Sequence, residues 1–226
     1  MTKKGKLYGV GVGPGDPELM TMKAVRLLGD CDMIAIPQGD RDRCVALSIA
    51  AKAVPEVLEK PVLALDMPMT RDRTLRERAY AEAVERLTAA LALGETVAFL
   101  TLGDPSIYST YGYLHRQVLE KGYEAEIVSG VPSFCAAAAA LGEPLCLDGE
   151  GLHILPGANA EEAYPGTRVF MKGGVSELKQ VLQHHDGPVF AARNVGMAEE
   201  RLYGSLEEIP KDPGYFTLII AKEKQS

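Results

Sequence analysis

Two short stretches share a Gly-Asp-Pro core, and each follows an apolar run. Gly13-Pro14-Gly15-Asp16-Pro17 follows LYGVGV, and Gly103-Asp104-Pro105-Ser106-Ile107-Tyr108 follows TVAFLTL. The apolar runs read as strands. A glycine at a strand end lets a ligand touch backbone, and an aspartate there accepts hydrogen bonds from hydroxyls or an amine. The prolines fix φ and remove N–H donors, so the first turn is stiff. Two such turns on parallel strands would bring their tips to one edge of a sheet, where open α/β proteins bind ligands. A plainer reading makes each aspartate a helix cap with proline at the first helical position. The matching of the two turns favours a shared ligand site.

The spacing argues against a phosphate cradle. A dinucleotide loop needs G-x-G-x-x-G. Counted from Gly9 the third place is Pro14, and counted from Gly11 it is Asp16. No G-x-x-x-x-G-K-[ST] follows. Asp16 would also set a carboxylate where a phosphate should lie. A third element, Ser129-Gly130-Val131-Pro132-Ser133-Phe134, offers backbone N–H groups and a hydroxyl at a helix start.

The elements that must position these turns alternate. Strands are expected at Leu7–Val12, Met33–Pro37, Val62–Leu65 and Thr96–Leu102. Helices are expected near Met22–Leu28, Val45–Ala53 and Thr74–Leu93. In the last helix Leu75, Ala79, Ala83, Leu87 and Ala90 recur at helical spacing, Glu82 precedes Arg86 by one turn, and Gly94 stops it. This rhythm predicts an α/β fold with a mostly parallel sheet. After Gly122 the texture changes. Strands at Ala125–Val128, Leu152–Leu155, Arg168–Met171, Val189–Ala192 and Tyr215–Ile220 are separated in places by helices, at Ser133–Leu141 and Gly174–Gln183. The expected division is an N-terminal α/β domain over 1–121 and a C-terminal α/β domain over 122–226.

Composition narrows the partners. A formal net charge of -7 over 226 residues argues against nucleic acid, which selects a basic face. No run of 18 apolar residues suggests a membrane span. The N-terminus carries no apolar signal-peptide segment. Cys31, Cys44, Cys135 and Cys146 lack C-x-x-C spacing, and the four histidines offer no matching ligand pattern, so no metal site is expected. Scattered thiols suit a reducing cytoplasm.

Four segments in this order, GVGPGDPELMT, TLGDPSIY, SGVPSFCAAAAALGEPL and VFMKGG, resemble the tetrapyrrole (corrin/porphyrin) methyltransferase family. Ser129 stands where the family usually has proline. The strings around Asp66–Thr70, Tyr108–Tyr111, Tyr113–His115 and Tyr215–Leu218 resemble the branch that methylates C-20 of cobalt-factor II or precorrin-2 in cobalamin biosynthesis. The resemblance implies two α/β domains with S-adenosylmethionine in a cleft between them, a tetrapyrrole substrate and a homodimer. It implies cofactor contacts from Pro14, Leu102, Gly103, Asp104, Ile107, Tyr108, Pro132, Ser133, Met171 and, in the segment Asn194–Gly196, Val195. A branch that acts on uroporphyrinogen carries an acidic residue after its second strand. Pro37 stands at that place here, so no base is carried over.

Methyl transfer from a sulfonium to carbon is an in-line displacement that asks mainly for positioning. A strong anion beside the sulfonium would favour the ground state, so Asp104 reads as a binding group and not as a catalytic one. Tyr111 and His115 are candidates by position for removing the C-20 proton, against a plain packing role. A substrate rich in carboxylates needs a local positive trough on this acidic chain. Arg71 and Arg73, with Met67 and Met69 as an apolar wall, are the expected trough, and Arg41, Arg43, Lys172 and Arg193 are weaker candidates. Two other readings remain: a methyltransferase of this fold acting on a macromolecule such as ribosomal RNA or a modified histidine, and a tetrapyrrole-binding module without turnover.

Overall fold

The computed structural model describes residues 4–37, 39–68, 70, 72–157, 165–171 and 175–224. The chain divides into two units, Met1–Pro132 and Ser133–Ser226.

The first unit alternates strand and helix: β1 (Lys6–Gly11), α1 (Met22–Asp30), β2 (Met33–Ile36), α2 (Val45–Ala53), β3 (Val62–Ala64), α3 (Arg73–Ala92), β4 (Val97–Thr101), α4 (Tyr111–Glu120) and β5 (Glu124–Val128). Its strands form one sheet in the order β3-β2-β4-β1-β5. Every pairing in it is parallel. Side chains of a strand alternate between faces, and both faces here are covered. Val10, Ile34, Ala98 and Leu100 pack with Ala24, Leu28, Leu47 and Ala50 of α1 and α2. Leu7, Ala35, Val97 and Phe99 pack with Val84, Leu87, Leu91, Tyr111 and Leu114 of α3 and α4. Burial on both sides is why these strands read as unbroken apolar runs.

α3 begins where Asp72 accepts from the N–H groups of Thr74 and Leu75, and the chain leaves it through Gly94 at φ 90°. Its buried stripe is Tyr80, Ala83, Val84, Leu87, Ala90 and Leu91. Leu75, expected on that stripe, is exposed, because it lies in the first turn, beyond the end of the sheet-facing surface.

The expected boundary at Lys121–Gly122 is corrected. β5 pairs with β1 from Lys6↔Glu124 to Val10↔Val128 and is the edge strand of the first sheet. The division falls after Pro132. The pairing with β1 lies far away in sequence, so nothing local to Lys121 marks β5 as part of the first sheet.

The second unit comprises α5 (Ser133–Leu141), β6 (Leu152–Pro156), β7 (Thr167–Met171), α6 (Val175–Leu182), β8 (Val189–Arg193), β9 (Arg201–Tyr203) and β10 (Thr217–Ala221). The sheet order is β6-β7-β10-β8-β9. β6 and β7 are parallel, while β10 runs antiparallel to β7 and β8. The sheet packs through Leu155, Phe170, Val189, Ala191, Ile219 and Ala221 against Leu178 and Leu182 of α6. β9 has no apolar run to announce it. It exists because it pairs with β8 from Ala191↔Tyr203 to Arg193↔Arg201.

Candidate functional site

The two Gly-Asp-Pro turns meet at the carboxyl edge of the first sheet, because β1 and β4 are parallel neighbours with Gly11 opposite Thr101. Beyond the ladder the chains stay joined. Val12 N–H donates to the Thr101 carbonyl (3.0 Å), Gly103 N–H to the Gly13 carbonyl (2.7 Å) and Gly13 N–H to the Gly103 carbonyl (3.3 Å). Gly13 and Gly103 sit at φ 74° and 72°, in the left-handed region that favours glycine. The third element packs onto this pair. A Cβ on Gly130 would stand 2.1 Å from the Gly103 carbonyl oxygen, and one on Gly11 would stand 2.6 Å from both that oxygen and the Gly130 nitrogen. Three backbones thus touch at a point that no side chain can enter.

Side chains close the arrangement. Asp104 is 8% exposed. One carboxylate oxygen accepts from Ser106 N–H (2.7 Å) and from its hydroxyl, and the other accepts from Gly130 N–H (3.0 Å). Thr21 caps α1 by accepting from Ala24 N–H (3.2 Å), and its hydroxyl donates to the Ser129 carbonyl (3.2 Å). Asp16 accepts from Glu18 N–H (2.9 Å) and caps a short 3-10 helix over Pro17–Leu19. For Asp16 the plain capping reading is therefore the one observed.

Leu102 is left open. Ladder bonds alternate sides along a strand. Thr101 turns its carbonyl toward Val12, so Leu102 turns its N–H and C=O the other way, past the point where β2 ends at Ile36. Neither group has a hydrogen-bond partner among the described residues. Around it Pro14, Gly15 and Pro105 are buried, Ile107 and Pro132 are half-buried, and Tyr108 is exposed at φ 46°. This edge offers carbonyl oxygen and N–H in a stiff frame. It fits a ligand bearing amine, amide-like and hydroxyl groups, and S-adenosylmethionine has such groups. It does not fit a polyphosphate, since the nearby carboxylates of Asp16 and Asp104 occupy the donors at the turns.

In the second unit Met171 faces Leu218 and Pro156, while Arg193 faces Thr217. The carboxyl ends of β6, β7 and β8 therefore share one edge. Val195 lies just past β8 and is buried, between Asn194 at φ 50° and Gly196 at φ 74°. Asn194 N–H donates to the Phe216 carbonyl (2.9 Å) and Gly196 N–H to Glu200 (2.7 Å). Ser133 opens α5 and is half-buried.

Tyr111 and His115, the candidates for removing the C-20 proton, lie on α4. Tyr111 is fully buried and lies against Gly9 at mid-strand, where a Cβ would meet its ring at 2.2 Å. Its hydroxyl donates to the Glu126 carbonyl (2.7 Å), and burial pushes the phenol above its ordinary value. His115 Nδ1 is 3.3 Å from that hydroxyl. α4 runs back toward the amino edge as it leaves the turn, which carries both side chains away from the loop tips. Their spacing from the Gly-Asp-Pro motif gave no sign of which face they take.

The trough residues are less concentrated than expected. Met67 is buried in the core and forms no open wall. Arg73 is exposed and pairs with Glu77 at 2.7 Å. Arg41 donates to the Leu58 carbonyl, and Arg43 lies 3.8 Å from Asp40. Met69, Arg71 and Lys172 lie outside the described residues. Sequence reasoning gave Gly11, Gly130 and Thr21 no role of their own, although all three lie in the motif segments.

The fold is an α/β one whose glycine-rich turns are joined at the carboxyl ends of parallel strands. The sequence pattern of the tetrapyrrole (corrin/porphyrin) methylases matches residues 6–210, and the chain belongs to that family. It is 34% identical over 226 residues to a probable cobalt-precorrin-2 C(20)-methyltransferase of Methanocaldococcus jannaschii, covering 96% of both chains. It is 35% identical over 186 residues to the cobalt-precorrin-2 C(20)-methyltransferase of Salmonella typhimurium, covering 82% of this chain and 71% of that one. The 39% identity to the cobalamin biosynthesis protein CobIJ of Mycobacterium tuberculosis extends over 32% of that longer protein. Among solved structures, the uroporphyrin-III C-methyltransferase of Thermus thermophilus complexed with S-adenosyl homocysteine superposes with a TM-score of 0.67 at 25% identity, over 96% of each chain.

Proposed function

We propose that the chain transfers a methyl group from S-adenosylmethionine to C-20 of cobalt-factor II or precorrin-2 in cobalamin biosynthesis. The observation that carries the reading is the meeting of three of the four family motifs at one strand edge, with Leu102 backbone left to bind. The substrate class follows from the activities named for the archaeal and Salmonella relatives.

The cofactor would supply an activated methyl group on a cationic sulfur. The protein then has to hold donor and acceptor in line and keep water out. The bridge carbon of the macrocycle is itself the nucleophile, so no activated side chain is required. Pro14, Leu102, Gly103, the Asp104 backbone, Ile107, Tyr108, Pro132 and Ser133 are assigned to the cofactor, and Met171 and Val195 in the second unit. The joined turns give these backbone groups a fixed geometry, which lowers the ordering cost of binding. Arg73, with Arg71, is assigned to substrate carboxylates. Its ion pair with Glu77 is exposed and weak, so the guanidinium can exchange partners. We read the protein as a homodimer acting in the cytoplasm on a small-molecule substrate, without nucleic acid or membrane. In support, none of the described helices is long and apolar enough to cross a membrane.

Mass spectrometry after mixing the protein with S-adenosylmethionine and either tetrapyrrole tests the reading. Gain of one methyl group on the cobalt form or on the metal-free form is expected, and the form that gains it names the substrate. Methylation of neither would overturn it.

A further inference from the structure

We propose that Asp104 is a positioning residue, a latch that fastens the Ser129–Pro132 segment to the Gly-Asp-Pro turn, and not a charge partner of the cofactor. The proposal builds on the cofactor reading of this edge. Both carboxylate oxygens are committed to protein donors: one to Ser106, the other to the N–H of Gly130, twenty-six positions further along. An ionised carboxylate only accepts, and here it meets only donors. Asp104 itself is only 8% exposed, which limits the access of water to its carboxylate oxygens.

The latch acts where the backbones already touch. Gly130 lies so close to the Gly103 carbonyl oxygen that a Cβ would fall 2.1 Å from it. The preceding residue is held from another side, by the Thr21 hydroxyl on the Ser129 carbonyl (3.2 Å). Two consecutive residues of the segment are thus gripped by two different elements, just before the first unit ends at Pro132. Without the carboxylate, Gly130 N–H loses its acceptor, and the segment, held then by Thr21 at Ser129, can lift from Gly103. That would displace the Leu102–Asp104 backbone, which this reading gives to the cofactor.

The test separates positioning from charge. S-adenosylmethionine carries a positive sulfur and S-adenosylhomocysteine does not. Binding of each to the full chain is measured calorimetrically for the wild type, Asp104→Ala and Asp104→Asn. A latch predicts that Asp104→Ala weakens both ligands by the same factor, on the order of tenfold. Asp104→Asn should recover part of the loss for both, because its amide oxygen can take Gly130 N–H and its NH2 group can donate to the Ser106 hydroxyl, while Ser106 N–H loses its acceptor. Tyr111→Phe, in the core away from the loops, should lower the melting temperature and leave both affinities unchanged. Hydrogen exchange over 129–132 reads the latch without ligand and should quicken in Asp104→Ala. Loss of affinity confined to the cationic ligand, in both Asp104 variants, would overturn the proposal in favour of direct charge contact. Unchanged exchange at Gly130 would overturn it outright. Failure of the wild type to bind either ligand, with exchange still altered, would instead strike the cofactor reading.

Discussion

The two Gly-Asp-Pro turns share three residues and a place in the fold, yet their aspartates do different things. Asp16 reaches only two residues ahead, to Glu18 N–H, and caps a single turn of 3-10 helix. Asp104 reaches its own turn and also Gly130, and joins two motifs of the sequence. The difference arises from their neighbours. The first turn lies at the end of β1, and the second has the chain from β5 laid across it. A tripeptide specifies a turn, while its tertiary surroundings decide whether the carboxylate caps or bridges.

The largest effect should come from filling the contact between the backbones. Gly130→Ala must push a methyl group into the Gly103 carbonyl, and overpacking of this kind costs about 1–3 kcal/mol or more. Thermal unfolding should show a clear loss, and S-adenosylmethionine affinity should fall with it. Wild-type binding by Gly130→Ala would mean that the second turn does not depend on the third motif, which would erase the contrast between the two turns.

Next in size is the pair of aspartate truncations. Asp104→Ala removes a buried acceptor and leaves partly buried donors without it, at a cost of about 1–3 kcal/mol. Asp16→Ala removes one cap from a short, half-buried turn, where water can replace it, and about 0.5–1 kcal/mol is expected. Denaturant titration of both measures the difference. Equal losses would show that the bridge adds nothing to the cap.

The smallest effect concerns the strand that delivers the third motif. Lys23 and Lys6 hydrogen-bond the Glu126 carboxylate and hold it down from 4.5 to about 2. A depressed folded value means that this stabilisation is present above pH 4.5 and is lost as the pH falls toward 2. The pair partners are substantially solvated, with Glu126 35% and Lys23 52% accessible, so screening keeps the gain below about 1 kcal/mol. Glu126→Gln should be slightly less stable than the wild type at pH 7, equal to it near pH 2, and the gap should shrink in salt. A gap that persists at pH 2 would point to packing of β5 and not to charge.

Much of the first unit was legible because its strands are buried on both faces and so form uninterrupted apolar runs. The parallel order followed from the alternation with helices, and it put both turns at one edge. The unit boundary was not legible. β5 belongs to the first sheet through its ladder with β1, a partner more than a hundred residues away. β9 was invisible for the same reason, since its pairing and not its composition makes it a strand. The surroundings of Tyr111 and His115 were not legible either, because sequence spacing after a turn does not say how far a helix carries a side chain from the strand tips.

The sequence by itself determined the class of fold, the two stiff turns, the exclusion of a phosphate loop and the family. Those depend on local φ preferences and on apolar periodicity, which act over a few residues. Tertiary structure alone decided that three glycine backbones meet at one point, that Asp104 spends its charge on Gly130 and Ser106, and that Tyr111 fills the space over Gly9. Those depend on strand register, which brings residues far apart in sequence within a hydrogen bond's length of each other.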